Sequence, residues 1–437
     1  MMKKLLYLLL IVPFISNAQF WTDKATSFAT AARGVNSISI VDANTVWVKA
    51  FDGSGGASNT VQEYAKSTDG GNTWTSGVMN LGLGGSPTLG VGNISAVSGT
   101  TAWAALFPNA NALGGIWKTT NGGTSWTKQT SALYNTTGES FTNWVHFFDA
   151  NNGVSQGDPA GGYFEIYTTS NGGTTWTRVP SANIPINAPV GGEYGLTNLF
   201  EAAGGTIWFG TDTGRLYKST NMGLNWTVAT TPSSVNDYAF SFKDANNGLL
   251  LKDDGNLYKS TDGGATWVAQ AYTGPVFTGD MTYVPGTSSV VCTGAASGLS
   301  GSAYSLNDGA TWTLIDNAQH LQVEFLNGTT GFTGGFNTDA TTGGIAKYTG
   351  TALPVKSFEA IGFSVYPNPV NDSFTIQNAN NIAISGLTIS DINGRTVKTL
   401  NVNAIENQIN ISDLNSGIYF LNITSDQGSA AKKIIKN

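Results

Sequence analysis

Charge is scarce in this chain: only 11% of its 437 residues are charged, with 21 Lys and Arg against 28 Asp and Glu. The formal charge is −7 and the pI about 4.8, which excludes a nucleic-acid partner, because phosphates are neutralised by a basic patch. Cysteine is almost absent. The single Cys292 excludes an intramolecular disulfide, and its setting in Val290-Val291-Cys292 predicts a buried strand residue. Only two histidines occur, His146 and His320, far apart in sequence; His146, between Val145 and Phe147, reads as a core residue. With no His/Cys cluster, no phosphate-binding loop, and Asp253-Asp254-Gly255 fitting an ordinary hairpin, neither a metal nor a cofactor is expected. Beyond the first residues no stretch approaches 18 consecutive apolar positions, so no transmembrane segment is expected.

Glycine and aromatics are abundant instead: 55 Gly and 11% Phe, Trp and Tyr, a composition that favours β structure. One turn pattern, Ser/Thr-x-Asp/Asn-x-Gly-x-x-Trp, occurs six times. Its Asp/Asn and Trp positions are Asp69 and Trp74, Asn121 and Trp126, Asn171 and Trp176, Asn221 and Trp226, Asp262 and Trp267, Asn307 and Trp312. The short polar side chains bond nearby backbone groups, glycine accepts a positive φ, and the indole buries its ring beside the turn. These positions are therefore structural.

Ahead of each turn lies a second repeated unit, strand, Asp/Asn/Gly turn, strand. Its copies begin near Val35, Val91, Trp144, Leu196, Tyr238, Met281 and Leu321, one copy more than the turns. Repeats of this length, each supplying four short strands, predict the blades of a propeller. The last copy has no Trp-led strand after it, whereas Phe20-Trp21-Thr22 at the start of the chain matches the Trp-Thr following five of the turns. Pairing of Phe20–Ser27 with the last copy would close a ring of seven and remove a sheet edge. Six blades and a separate hairpin is the alternative.

The six turns resemble the Asp-box, or BNR, repeat of sialidase-like β-propellers. Beyond Thr351 the composition changes: strand-like alternation at Phe374-Thr375-Ile376, Leu387-Thr388-Ile389 and Ile409-Asn410-Ile411 predicts a small Ig-like β-sandwich. This tail resembles the C-terminal sorting domain of the type IX secretion system. The matching residues are Val365-Tyr366-Pro367-Asn368-Pro369, Asp391-Ile392-Asn393-Gly394-Arg395, Ser416-Gly417-Ile418-Tyr419-Phe420 and the basic Lys432-Lys433-Ile434-Ile435-Lys436. The resemblance implies recognition by type IX machinery, removal of the tail by a sortase, and a product secreted or anchored at the outer-membrane surface. At the other end, Lys3-Lys4, the apolar Leu5 to Ile15 and Ser16-Asn17-Ala18 read as a signal peptide. The expected organisation is all-β: signal peptide 1–18, seven-bladed β-propeller 19–350, linker 351–362, and β-sandwich sorting domain 363–437.

In a four-stranded blade the three-to-four turn shares a face with the one-to-two turn, so the six turns should occupy one face. The sialidase resemblance implies a site on the opposite face. There the long connections 76–92, 129–142 and 180–195, with 52–60 and 156–162, carry three carboxylates: Glu139, Asp158 and Glu193. They are the candidate ligand-binding residues, with a glycan or a surface protein as the expected partner. Sialidase chemistry needs three converging arginines, and the propeller offers only Arg33, Arg178 and Arg215, without that family's Arg-Ile-Pro signature. A glycosidase would need two carboxyl groups about 5 to 9.5 Å apart, for which Asp158 with Glu193 or Glu139 is the nominated pair. A photosystem-assembly propeller is a further resemblance, but it implies a basic patch absent here. The reading is a binding module, with a carbohydrate-active hydrolase as the alternative.

Overall fold

The computed structural model describes residues 20–437 apart from 56–59, 84–88, 109–113, 186–191, 234–237, 351–362, 379–381, 383, 392–395, 401–405 and 426–427. The expected signal peptide and linker, and most of the Asp391–Arg395 motif, lie outside the described residues. The described strands up to Tyr348 fall into antiparallel groups of four, all but the last joined in sequence order, and a Gly34↔Phe336 pairing links the first group to the last. The first is Arg33–Ile40, Val46–Asp52, Glu63–Ser67 and Thr75–Val78, and the same plan recurs at Leu89–Ala96, Thr142–Phe147, Gly195–Ala203, Tyr238–Phe242 and Asp280–Tyr283, the leading strands of the next five groups.

Val323–Asn327, Thr330–Asp339 and Thr342–Tyr348 form only three strands in sequence. Their fourth is Trp21–Ala25, which pairs antiparallel with Thr342–Tyr348 in the register Trp21↔Tyr348 to Ala25↔Gly344. Leading strands touch their neighbours all the way round, including Arg33–Ile40 against Val323–Asn327. The result is a closed β-propeller. Side chains lace the inner strands together: Ser39 Oγ accepts from Ala96 N at 2.9 Å, Ser95 Oγ from Phe147 N at 2.9 Å, Ser241 Oγ from Tyr283 N at 2.9 Å, and Asp280 Oδ2 from Val323 N at 2.8 Å. Each such bond satisfies a backbone donor that would otherwise face the ring axis unpaired.

The recurrent turns explain their own sequence. Ser67 Oγ donates to Asp69 Oδ1 at 2.8 Å and accepts from Gly71 N at 2.8 Å, while Asp69 Oδ1 also accepts from Asn72 N and Thr73 N. Asn121 does the same work through its amide oxygen, which accepts from Ser125 N at 3.1 Å. Gly71, at φ 79°, is required twice over, because a Cβ there would stand 2.3 Å from the Phe332 ring of the preceding blade. The turns pack on the one-to-two turns of their own groups, as in Gly70 N to Asn44 O and Gly172 N to Asn151 O, so both kinds of turn share one face.

A lysine before several turns adds a staple to the next blade. Lys66 Nζ lies 4.7 Å from the Trp47 ring and donates to Gly99 O at 2.7 Å; Lys118 repeats this with Trp103 and Gly172 O, and Lys218 with Trp208 and Ala245 O. Trp21, in the group without a recurrent turn, is buried like Trp74 and Trp126. It finds a different partner, donating from Nε1 to Ser302 Oγ at 3.0 Å, where Trp226 donates to Gly223 O of its own turn. Trp267 departs from the pattern and is only half-buried.

Among the described strands, those of the tail pair only with one another. One sheet runs Phe363–Tyr366, Ser373–Asn378, Glu406–Asn410; the other runs Thr396–Leu400, Ile384–Asp391, Gly417–Ser425, Gly428–Lys436. Phe374 and Ile376 of the first meet Leu387, Ile389, Leu421 and Ile423 of the second in one core. The alternating pattern of these strands thus buries one face of each sheet.

Candidate functional site

Asp158 lies at the end of the strand Gly153–Pro159 and Glu139 and Glu193 in connections, all opposite the recurrent turns, and each is occupied locally. Glu139 is exposed, and its Oε2 accepts from Gly161 N at 2.8 Å. Asp158 Oδ1 accepts from Asn143 Nδ2 at 2.7 Å and Gly195 N at 3.0 Å, tying the end of one blade to the start of the next. Burial pushes its pKa up to about 6 against the pull of those bonds, with the Asp212 charge adding to the rise. Glu193 is buried; it accepts from Arg215 Nε and Thr213 Oγ1, each at 3.0 Å, and pairs with the Arg215 Nη2. Burial opposes its ionised form most strongly of any single influence, but the bonds from Arg215, Thr211 and Thr213 and the Arg215 charge together outweigh it and hold its pKa below the usual range. The fold therefore brings Asp158 beside the Glu193–Gly195 segment, while the three carboxyl groups bind three different partner sets.

The propeller's arginines are likewise spoken for. Arg33 pairs with Glu63 at 2.9 Å, Arg178 lies 4.2 Å from the Tyr163 ring, and Arg215 serves Glu193. They do not converge on one point. An ionised Glu193 held by a guanidinium is a poor proton donor, whereas burial raises Asp158 toward the range of a general acid. None of the three candidates lines the axial cavity described next, or the concavities of about 220 Å³ at 318–346 and 630 Å³ at 152–224.

Sequence reasoning did not anticipate that cavity. On the ring axis lies a well of 590 Å³ lined by leading-strand residues from every one of the groups. Its mouth is formed by Gly204, Asp244, Ala245 and Pro285, which belong to one-to-two turns, so it opens on the face of the recurrent turns. Deeper in, the leading strands are bulged at Val35/Ser37, Val91/Asn93, Thr142/Trp144 and Gly195/Phe200. At the last bulge Asn198 adopts φ 59° and reaches across the axis, its Nδ2 donating to Asn36 O at 3.0 Å. Asn198 and Asn36 belong to groups that are not neighbours, so this bond spans the channel.

The walls combine apolar surface, from Ile38, Ile40, Ile94, Phe200 and Phe325, with hydroxyls, amides and two carboxyls, Glu201 and Glu324. Asp280 stands close behind. Burial raises the pKa of all three, to about 7 for Asp280; Glu201 and Glu324 are raised further by repulsion from the other carboxyls. His146, also in the wall, is lowered by burial to about 4 and is neutral at ordinary pH. The signal that could have found this site was the acidic residue in or beside three inner-strand repeats, which read singly as unremarkable strand polarity.

Residues 364–437 match the family described as a secretion system C-terminal sorting domain. The tail is a type IX sorting domain. That sorting domain marks the chain for export by the type IX machinery, to the medium or the outer-membrane surface. Among the described residues no helix is long and apolar enough to cross a membrane. For the propeller, the solved structure "YCF48 bound to D1 peptide" is similar with a TM-score of 0.53 and 15% identity, covering 76% of this chain and 98% of that one. YCF48 from Cyanidioschyzon merolae gives 0.51 and 14%, with 75% and 98% covered; U3-55K gives 0.50 and 9%, with 75% and 98% covered. These likenesses establish the propeller fold. No curated protein matches the chain.

Proposed function

We propose that the chain is a binding module: a seven-bladed propeller, delivered outside the cell by its sorting domain, that takes its ligand in the axial well. The observation that carries this reading is the well itself, a cavity with a polar and acidic lining at the centre of the ring. The seven-blade count rests on six complete groups and the one completed by Trp21–Ala25. The recurrent turns serve as Asp-box hardware, and Glu139, Asp158 and Glu193 serve to hold the loops that carry them. A polypeptide of the cell surface is the ligand class we favour over a glycan: YCF48, of similar fold, holds a D1 peptide. A sortase would then remove the tail and leave the propeller at the surface.

Delivery and binding are tested separately. Deletion of 364–437 should leave the protein in the periplasm; undiminished surface display of the truncated chain would remove the export half of the reading. The whole chain, immobilised and challenged with surface polypeptides and with a glycan array, should retain polypeptides, and retention should be lost when Ala245→Trp obstructs the mouth. Glycan capture alone, sensitive to the same change, would replace the ligand class.

A further inference from the structure

We infer that the axial well receives one organic cation, the ammonium or guanidinium of a Lys or Arg side chain on the partner polypeptide, between Glu201 and Glu324. This rests on the well being the binding site. Glu201 comes from the fourth leading strand and Glu324 from the last; Asp280 stands between their groups on the sixth. Their hydrogen-bond partners are neutral: Ser241 Oγ donates to Glu201 Oε1 at 3.1 Å, Gln322 Nε2 to Glu324 Oε1 at 3.3 Å, and Val323 N to Asp280 Oδ2 at 2.8 Å.

The remaining charged and titratable groups in the wall do not supply the missing charge. Lys243 is turned to Asp308, with Nζ 2.8 Å from Oδ1, Asp244 at the mouth adds a further negative group, and burial keeps His146 neutral and Tyr283 protonated. Burial without a countercharge raises the carboxyl pKa values, and an entering cation would reverse that rise. Among the described residues no three His, Cys, Asp or Glu side chains converge as metal ligands, so a small hard cation lacks its coordination shell. An alkylammonium or guanidinium needs less: hydrogen bonds to separate carboxyls, and apolar walls for its stem. Ile38, Ile94, Phe200 and Phe325 supply those walls, and the aromatic faces favour a cation in addition.

The test is calorimetric titration of the whole chain with capped Gly-Lys-Gly and Gly-Arg-Gly, against capped Gly-norleucine-Gly as the neutral isostere. The cationic peptides should bind and the neutral one should not. Affinity should rise several-fold from pH 6 to pH 8.5 as the carboxyls ionise. Glu201→Gln and Glu324→Gln, which keep shape and remove charge, should each weaken binding about tenfold, the scale of one charge-assisted hydrogen bond. Equal binding of the norleucine peptide, unaffected by Glu201→Gln yet abolished by Ala245→Trp, would overturn the cation while leaving the well. Cationic binding that survives Ala245→Trp would place the ligand elsewhere and overturn the reading of the well too. No binding of either cationic peptide at millimolar concentration, with the variants and parent melting alike, would overturn the inference.

Discussion

Glu193 and Glu201 belong to the same blade, one just before its leading strand and the other near that strand's far end, yet they meet opposite treatment. Glu193 is enclosed by Arg215 and Thr213, and its charge is matched where it sits. Glu201 has a serine hydroxyl for a partner and, among the described residues, no ion pair; the groups it interacts with electrostatically, Asp280 and Glu324, have its own sign. A carboxylate taken from water is costly unless paired. At the loop end the protein supplies the partner itself, and the acid is part of the scaffold. At the well end it does not, and the site is left for something else to complete.

Ring closure underlies both ends, so the largest expected effect is Trp21→Ala. Loss of this buried indole, which joins the first strand to the last blade, should cost about 3 to 5 kcal/mol in urea denaturation. A change under about 1 kcal/mol would mean that the ring does not depend on its seam.

The comparison itself is broken most directly at Arg215. Arg215→Ala leaves Glu193 buried and unpaired and should destabilise by about 3 kcal/mol or somewhat more at pH 7. Lowering the pH should relieve part of that loss by protonating Glu193, whereas a loss equal at pH 4 and pH 7 would show that packing, and not charge, was removed.

The well carboxyls predict a pH trend of opposite sign. Their folded-state pKa values lie above the unfolded ones, so the folded chain holds protons more tightly and loses stability as pH climbs from the ordinary carboxylate range through about 7. The thermal midpoint should therefore fall between pH 5 and pH 8.5, and Glu201→Gln should flatten the fall. A midpoint that rises across this window would contradict an uncompensated well. Asp158 makes a smaller contribution of the same sign, between its unfolded value and about 6. Asp158→Asn keeps an acceptor for Asn143 and Gly195, so stability at pH 7 should change by no more than about 1 kcal/mol.

Smallest of all should be Asp69→Asn. Four of the six recurrent turns already use Asn, as Asn121 does with the same backbone donor, so urea midpoints should move by less than about 0.5 kcal/mol. A larger loss would give this turn a role the others lack.

The scaffold was legible because its signals are local and repeated. The turn residues Ser67, Asp69, Gly71 and Trp74 meet within eight positions, so their chemistry is written in one short stretch. Trp21 was readable as the missing strand because it carries the Trp-Thr of the other blades. The loop carboxylates were found at the expected end of the ring, but their partners were not foreseen: Arg215 lies well along the chain from Glu193, and Gly195 N from Asp158, with no spacing rule to connect them.

By itself, the sequence determined the repeating blade, the seam that closes it and the address at its C-terminus, since each depends on side chains bonding to nearby backbone or on a repeated apolar pattern. Only the tertiary structure decided where charge is satisfied and where it is not. Closing the ring carries residues as distant as Glu201, Asp280 and Glu324 to one axis, and lets Asn198 reach Asn36 across it. The cost of their shared burial depends on that convergence, which no local stretch of the chain encodes.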